Sequence, residues 1–590
     1  MSTTGTTSPP ALPHRGPAPK IDWDLLIAEA RRRFGVVHFR PGQRELIECA
    51  LNGQDTLGIL PTGAGKSLCY QLPSLVLKGA VVVVSPLIAL MQDQCDHLAE
   101  AQIDAARLDS TIGEREQRER EEALSEGELE IVLLTPERLQ NPEHLEPLKK
   151  RGVSLFVVDE AHCVSTWGHD FRPAYLELRH VIAQLGRPPV MALTATAPPD
   201  RVEDILENLG IADARIIQGS VERESLFLEV WRTVNRNEKE QRLLEILNSE
   251  RGCGIVYCST VRQVNELQQW LGEQGQSVVR YHGQLRKSER ARAQQQFMSG
   301  GHRVIVATNA FGLGVDKPDV RFVVHWNFPE SLENYYQEAG RAGRDGKPAR
   351  CALLYRLEDK RVRTFFIAGK HPREDEVRLF LRVLTSASDV GGSVSIEDLA
   401  AATQLSEKRV RVISSALESL KLVVRRGRAR HLSRPMSNAE TEAFVASFEL
   451  HFEADHTRLR MMMHYAETTG CRMQFIREYF GELPGELCNH CDNCKRPFEQ
   501  APRVPRSIRS RVARRLTMLG AAAPGAAGLR SSPAELSTFG RGQRVRHERF
   551  GIGDVLEARA GEVTVAFPRY GERRVLVSYL RPVSAQGSAA

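Results

Sequence analysis

Residues Pro61–Ser67, reading Pro-Thr-Gly-Ala-Gly-Lys-Ser, lie between a strand-like run, Thr56–Leu60, and a helix-like one. A glycine-rich loop at such a junction demands a strand-to-helix unit of a parallel sheet, because its backbone N–H groups must converge on an anion at the helix start. Thr62, Gly63 and Gly65 would form the phosphate cradle, Lys66 would reach the β/γ oxygens, and the Ser67 hydroxyl would hold Mg²⁺. Leu60 stands where the strict pattern has its first glycine. Further on, Ser154-Leu-Phe-Val-Val158 reads as a buried parallel strand closed by Asp159-Glu160-Ala161-His162. Ligand sites in such sheets sit at the carboxyl ends of strands. Asp159 is therefore expected to bind Mg²⁺, and Glu160 to orient or deprotonate an attacking water. The pair of segments predicts hydrolysis of a nucleoside triphosphate.

At 590 residues the chain exceeds a single core, so about three to five domains are expected. No run of 18 apolar residues occurs, so nothing is expected to span a membrane. Residues 1–20 are rich in Ser, Thr and Pro without an apolar stretch, which predicts a disordered tail and not a secretory signal. A net charge of +6 is compatible with a polyanionic partner. Of 11 cysteines, all but a cluster of four are scattered singly and read as reduced thiols, which favours a cytoplasmic setting.

Short apolar runs alternate with helical patterns at Val81–Ser85, Ile131–Leu134, Leu155–Val158 and Val190–Leu193. A second set follows at Gly254–Cys258, Val304–Thr308, Phe322–His325 and Cys351–Tyr355. The expected fold class is α/β, with two tandem parallel-sheet lobes over 21–215 and 216–370 and a cleft between them. In the second lobe, Gln337-Glu-Ala-Gly-Arg-Ala-Gly-Arg344 carries two arginines three apart. On one helical face, Arg341 and Arg344 would cross the cleft to the γ-phosphate, a role worth on the order of 10³–10⁵ in rate.

Cys471, Cys488, Cys491 and Cys494 have spacing that suits a closed tetrahedral Zn²⁺ site over 441–500, structural and not catalytic. His490 lies inside the cluster but is not counted as a ligand. Residues 371–440 read as a winged helix. Ser395 opens one helix through a capping box, Ser406 caps a second, and Val423–Leu432 forms a basic hairpin. Residues 501–535 read as a flexible basic linker. Residues 536–585 alternate short strands with turns at Gly551, Gly561 and Gly571, which predicts a small β-barrel.

The order of these segments resembles a superfamily 2 helicase, and in particular the RecQ family of DNA helicases. The resemblance rests on Phe39-Arg-Pro-Gly-Gln43, Pro61–Ser67, Val84-Ser-Pro-Leu87, Thr135-Pro-Glu137, Asp159–His162, Ala192–Ala197, Tyr281-His-Gly283, Phe311–Asp316 and the arginine segment. It implies an ATP-dependent helicase that unwinds DNA 3′→5′ in repair and recombination. The adenine would meet Gln43 and Arg40, and Asp316 joins the nucleotide contacts. His162 joins the catalytic set. Ser85, Thr135 and Thr308 would grip the tracking strand, and Thr194 and Thr196 would relay between sites. Cys163–Pro173 resembles the aromatic-rich loop that couples DNA to hydrolysis. Trp167 and Phe171 supply stacking faces there, and His169 and Arg172 polar and cationic contacts. Tyr479-Phe-Gly-Glu482 among the cysteines resembles the RecQ zinc subdomain. In many RecQ proteins the winged helix follows the zinc site, whereas here it precedes it. Gly542–His547 with Phe550–Gly553 resembles the Tudor-like tail of UvrD-type helicases, which implies a protein partner, RNA polymerase or a repair factor. The expected location is cytoplasmic and nucleoid-associated, with single-stranded and duplex DNA as partners. An RNA helicase, a DNA translocase, or a winged-helix regulator with a vestigial ATPase remain open on the residues alone.

Overall fold

Uninterrupted runs of Val, Ile and Leu bury both faces of a strand, and only helices on either side of a parallel sheet can cover them. The computed structural model describes residues 21–165, 173–312, 317–389, 392–420, 422–426, 429–483, 485–495, 539–547, 551–559, 562–567, 571–576 and 580–582. Its chain divides into Met1–Ala195 with Glu203–Gly219, and Thr196–Val202 with Ser220–Ala590. The expected tail over 1–20 and linker over 501–535 lie outside the described residues.

The first unit holds β1 (Thr56–Ile59), β2 (Ala80–Val84), β3 (Ala105–Leu108), β4 (Ile131–Leu134), β5 (Val153–Val158), β6 (Val190–Thr194) and β7 (Arg215–Gln218). They pair in the order β3-β4-β2-β5-β6-β1-β7, and every pairing is parallel. β1, β2, β4 and β6 are buried throughout. The edge strands β3 and β7 are only partly covered. Their mixed composition hid them from a search for apolar runs.

The second unit repeats the design with β8 (Leu226–Arg232), β9 (Cys253–Tyr257), β10 (Val278–Tyr281), β11 (Val304–Ala307), β12 (Val320–His325) and β13 (Ala349–Tyr355). The order is β10-β11-β9-β12-β13-β8, again all parallel. Helices Lys360–Lys370 and Glu374–Asp389 lead on to Ile396–Thr403 and Glu407–Ser419. The last two start where expected: Ser395 accepts from Asp398 N and Ser406 from Arg409 N. A three-stranded antiparallel sheet follows, β14 (Val394–Ser395), β15 (Val423–Arg426) and β16 (Ala429–Leu432), in the order β14-β16-β15. These elements, with the helix Asn438–Glu467 that follows, share a core around Phe380, Leu399, Ile413 and Phe448.

The long helix Asn438–Glu467 opens on a full capping box between Ser437 and Glu440. The cysteine module behind it seals the free side of β8. His490 Nδ1 lies 3.1 Å from Leu226 O, Val230 N donates to Asp492 Oδ2 at 3.1 Å, and Leu228 forms a bridge with Cys491. Arg472 clamps the same Asp492 carboxylate with both arms, and both side chains are buried.

At the C-terminal end, β17 (Arg544–His547), β18 (Gly551–Arg559), β19 (Glu562–Phe567), β20 (Gly571–Leu576) and β21 (Leu580–Pro582) make an antiparallel sheet in the order β20-β19-β18-β17-β21. Phe539, Val545, Val555, Val565 and Phe567 form its core. Gly551 and Gly571 begin strands here instead of marking turns.

Candidate functional site

The loop after β1 is bent by glycines in the left-handed region, Gly63 at φ +84° and Gly65 at φ +75°. Gln43 fixes its shape from outside. Its Nε2 donates to Ala64 O (3.0 Å) and Gly65 O (2.9 Å), while its Oε1 accepts from Arg40 N at 2.7 Å. The Arg40 guanidinium donates to Gly63 O. A Cβ at Gly65 would stand 2.6 Å from Gln43 Nε2. Lys66 Nζ donates to Leu60 O at 3.2 Å. Leu60 contributes only its carbonyl there, and its side chain is buried in the core, so a glycine at that position is not needed. Ser67 opens helix Leu68–Ser74, and its Oγ faces Gln94 Nε2 at 3.5 Å.

Asp159 and Glu160 follow β5 at the carboxyl edge of the same sheet. Asp159 is buried, its N–H donates to Val84 O (2.9 Å), and Tyr175 OH donates to its carbonyl at 3.3 Å. Burial, then the Glu160 carboxylate, push the Asp159 carboxyl up to about 7, and the Lys66 charge opposes them. Glu160 adopts φ +48°, a left-handed conformation for a side-chain-bearing residue. Such geometry needs the surrounding fold to enforce it. His162 is buried, with Nδ1 at 3.1 Å from Thr194 Oγ1 and 3.3 Å from Glu160 Oε2. Thr194 ends β6, which lies between β5 and β1. His162 therefore stands between the acidic pair and the strand beside the loop, bonded to the latter. A hydroxyl and a buried carboxylate are oxygen donors of the kind Mg²⁺ takes alongside substrate phosphates. Ser67 and Asp159 fit that ion.

Ser85 and Thr135 follow β2 and β4 on the same edge, both buried, and Ser85 N donates to Leu134 O at 3.0 Å. Ser85 Oγ has no hydrogen-bond partner among the described residues. Thr308 follows β11 in the second unit, its N–H bonded to Tyr281 O at 3.2 Å. Trp167, His169, Phe171, Arg172 and Asp316 lie outside the described residues.

The arginine segment departs from expectation. Helix Leu332–Ala339 ends before it, and Arg341 and Arg344 sit in the turns that follow. The two are not on one helical face. Gly343, at φ +58°, takes a conformation no helix continues. Arg341 is buried and donates to Gly312 O, whereas Arg344 is half-buried. Arg223, not anticipated from sequence, holds the turn from below. It donates to Gly340 O (2.6 Å), Ala342 O (3.0 Å) and Gly343 O (2.7 Å). Nothing in its neighbourhood, Val-Glu-Arg-Glu-Ser, distinguishes it from a surface arginine.

The four expected cysteines converge, with sulfurs all within 4.8 Å of one another. Tetrahedral Zn²⁺ with Zn–S of about 2.3 Å needs sulfurs about 3.8 Å apart. Cys488 and Cys494 Sγ stand 3.9 Å apart, so the set fits Zn²⁺ with no position left for water. The other seven cysteines form no disulfide among the described residues. The Arg472–Asp492 pair was missed, although each member directly follows one of the cysteines.

Two successive all-parallel sheets, a glycine-bent strand-to-helix loop and an acidic pair on the same sheet edge match a helicase motor core of the DEAD/DEAH type. Residues 40–205 match the DEAD/DEAH box helicase family, 238–346 the helicase conserved C-terminal domain, and 436–495 the RecQ zinc-binding family. The probable ATP-dependent DNA helicase RecS of Bacillus subtilis (strain 168) is 36% identical over 470 residues, covering 78% of this chain and 90% of that protein. The ATP-dependent DNA helicase RecQ of the same organism is 34% identical over 465 residues, 78% of this chain and 65% of that one. The chain thus spans under two thirds of the longer relative. The solved structure of Mycobacterium smegmatis helicase Lhr bound to ssDNA and AMP-PNP aligns with 71% of this chain and 61% of that one, at 21% identity and a TM-score of 0.48. The chain belongs to the RecQ family of ATP-dependent DNA helicases. ATP, Mg²⁺ and Zn²⁺ are its cofactors. Among the described residues no helix is long and apolar enough to cross a membrane.

Proposed function

We propose that this chain is a DNA-stimulated ATPase that separates duplex DNA 3′→5′, acting in repair and recombination. The observation that carries the reading is the convergence of the Pro61–Ser67 loop and the Asp159–Glu160 pair on one sheet edge, with His162 Nδ1 hydrogen-bonded to Thr194 Oγ1 and 3.3 Å from the Glu160 carboxylate. Lys66, Thr62, Gly63 and Gly65 hold the phosphates, while Gln43 and Arg40 read the adenine edge, with Asp316 a further nucleotide contact. Ser67 and Asp159 hold Mg²⁺, which supplies charge neutralisation for phosphoryl transfer. Glu160 positions the attacking water, and Arg341 and Arg344 supply cationic charge for the γ-phosphate. Ser85, Thr135 and Thr308 grip one strand through its phosphates. Trp167, His169, Phe171 and Arg172 sense that strand, and His162, Thr194 and Thr196 carry the signal to Glu160.

The domain limits follow the same reading: lobes over 21–215 and 216–370, a winged helix over 371–440, a zinc subdomain over 441–500 and a Tudor-like barrel over 536–585. The barrel would dock a protein partner, RNA polymerase or a repair factor, in a cytoplasmic, nucleoid-associated setting. The DNA helicase names of the relatives favour DNA over RNA as the track. Steady-state ATP hydrolysis with single-stranded DNA, RNA or duplex tests this directly. DNA stimulation that disappears in Lys66→Ala, with strand displacement on 3′-tailed but not 5′-tailed duplexes, is the expected result. Turnover indifferent to DNA overturns the proposal.

A further inference from the structure

A cavity of about 310 Å³ lies in the second unit, where the ends of β9 and β12 meet helix Lys360–Lys370 and the start of helix Glu407–Ser419. Three of its lining residues, Ser259, His325 and Asn334, each carry a buried polar atom with no hydrogen-bond partner among the described residues. These are Ser259 Oγ, His325 Nδ1 and Asn334 Oδ1. Leaving such groups unpaired costs stability unless a ligand satisfies them. His325 Nε2 is 2.8 Å from Glu338 Oε2. With Nε2–H donating to that carboxylate, Nδ1 presents a lone pair. The wall is therefore polar, with these three unpaired atoms set just beneath its accessible surface.

The mouth is different. Lys408 and Lys370 stand there, and Lys408 makes no ion pair among the described residues. Lys370 Nζ is 3.2 Å from Asp455, with its side chain 45% exposed. The acids of the lining are engaged: Glu338 by His325, and Glu330 by Arg363 at 3.5 Å. Phe366 also lines the cavity, and its neighbour Phe365 is 74% exposed. The two rings are 6.0 Å apart, edge to face. Exposed aromatic faces beside cations are how single-stranded nucleic acid is held without sequence preference. The volume lies at the low end of ligand cavities, which suits one nucleotide and not a duplex.

We propose that this cavity receives one unstacked nucleotide of the DNA strand, its base between Phe366 and the polar wall, its phosphates on Lys370 and Lys408. Lys408 begins the helix of the winged-helix-like module, so a bound strand would link that module to the second lobe. The site rests on the DNA-tracking function proposed above.

Fluorescence anisotropy with a labelled single-stranded oligonucleotide across a salt series tests it. Phe366→Ala is expected to weaken binding about 5- to 150-fold, the change one base-stacking contact represents, and Phe366→Trp to restore it. Lys408→Ala is expected to flatten the log–log salt slope by about 0.7, one strand phosphate. Both side chains changed, Phe366 and Lys408, are exposed, and thermal melting checks that the variants remain folded. Wild-type binding with both variants unchanged in affinity and slope overturns this site and leaves the helicase reading intact. Failure of the wild type to bind single strands overturns the helicase reading itself.

Discussion

Replacing Arg223 by alanine removes three hydrogen bonds to the carbonyls of Gly340, Ala342 and Gly343, none longer than 3.0 Å. Charged donors contribute roughly 1.5–3 kcal/mol each when buried. Arg223 is half-exposed, and the three bonds share one guanidinium, so their sum is discounted to about 2–3 kcal/mol of local stability. That corresponds to about 30- to 140-fold faster opening of the turn. Hydrogen–deuterium exchange on peptides covering 338–346 reads this opening directly.

The functional consequence follows from the role proposed above for Arg341 and Arg344. A displacement of about 1 Å in a catalytic group costs on the order of 10²-fold. The kcat for DNA-stimulated ATP hydrolysis is therefore expected to fall about 10- to 100-fold. KM for ATP should hardly change, since the phosphate loop belongs to the other unit. Arg223→Lys should recover only part of the loss, because an ammonium cannot fork between three carbonyls. Normal kcat in Arg223→Ala, or a loss confined to KM, would refute the link between this arginine and the Arg341–Arg344 turn.

Cys491→Ser should lower bound zinc to well under one equivalent by elemental analysis and loosen 471–495, since structural zinc supplies roughly 10–16 kcal/mol of apparent folding energy. Asp455 meets a different test. Burial alone would raise its carboxyl, but the His371 hydrogen bond at 2.7 Å and the nearby Lys370 and Arg458 charges hold it well below the ordinary 3.8. The stability it contributes is complete above about pH 4 and lost as acid protonates the native carboxylate. Acid unfolding followed by circular dichroism should shift in Asp455→Asn, whose stability below pH 4 changes less steeply than that of the wild type. Val36→Tyr adds a ring to the cavity of about 410 Å³ bounded by Val36, Phe39 and Arg40. It is expected to lower KM for ATP about 2- to 10-fold through stacking. An unchanged kcat/KM would show that no base lies there.

The central strands were legible because both faces are buried and the sequence had to be apolar throughout, as at Val81–Val84 and Ile131–Leu134. Strands β3, β7 and β10 were not, since partial exposure dilutes the signal with Arg and Gln. Helix starts at residues 396 and 407 were legible from single serines, because the cap hydrogen bond is local. The Arg341–Arg344 geometry was misread because spacing alone suggested a helix. Gly343 in a left-handed turn and the three carbonyl bonds of Arg223 decide otherwise. Arg223 itself could not be read, since its partners lie more than a hundred residues away. The cysteine cluster was legible to the residue, while the ion pair packed inside it was not.

The cysteine module does more than knot its own loop. By occupying the open side of β8 through Leu226, Leu228 and Val230, it blunts a strand margin that would otherwise template pairing with another chain. Stripping the metal should therefore announce itself first as turbidity and self-association, with the loss of motor activity trailing behind.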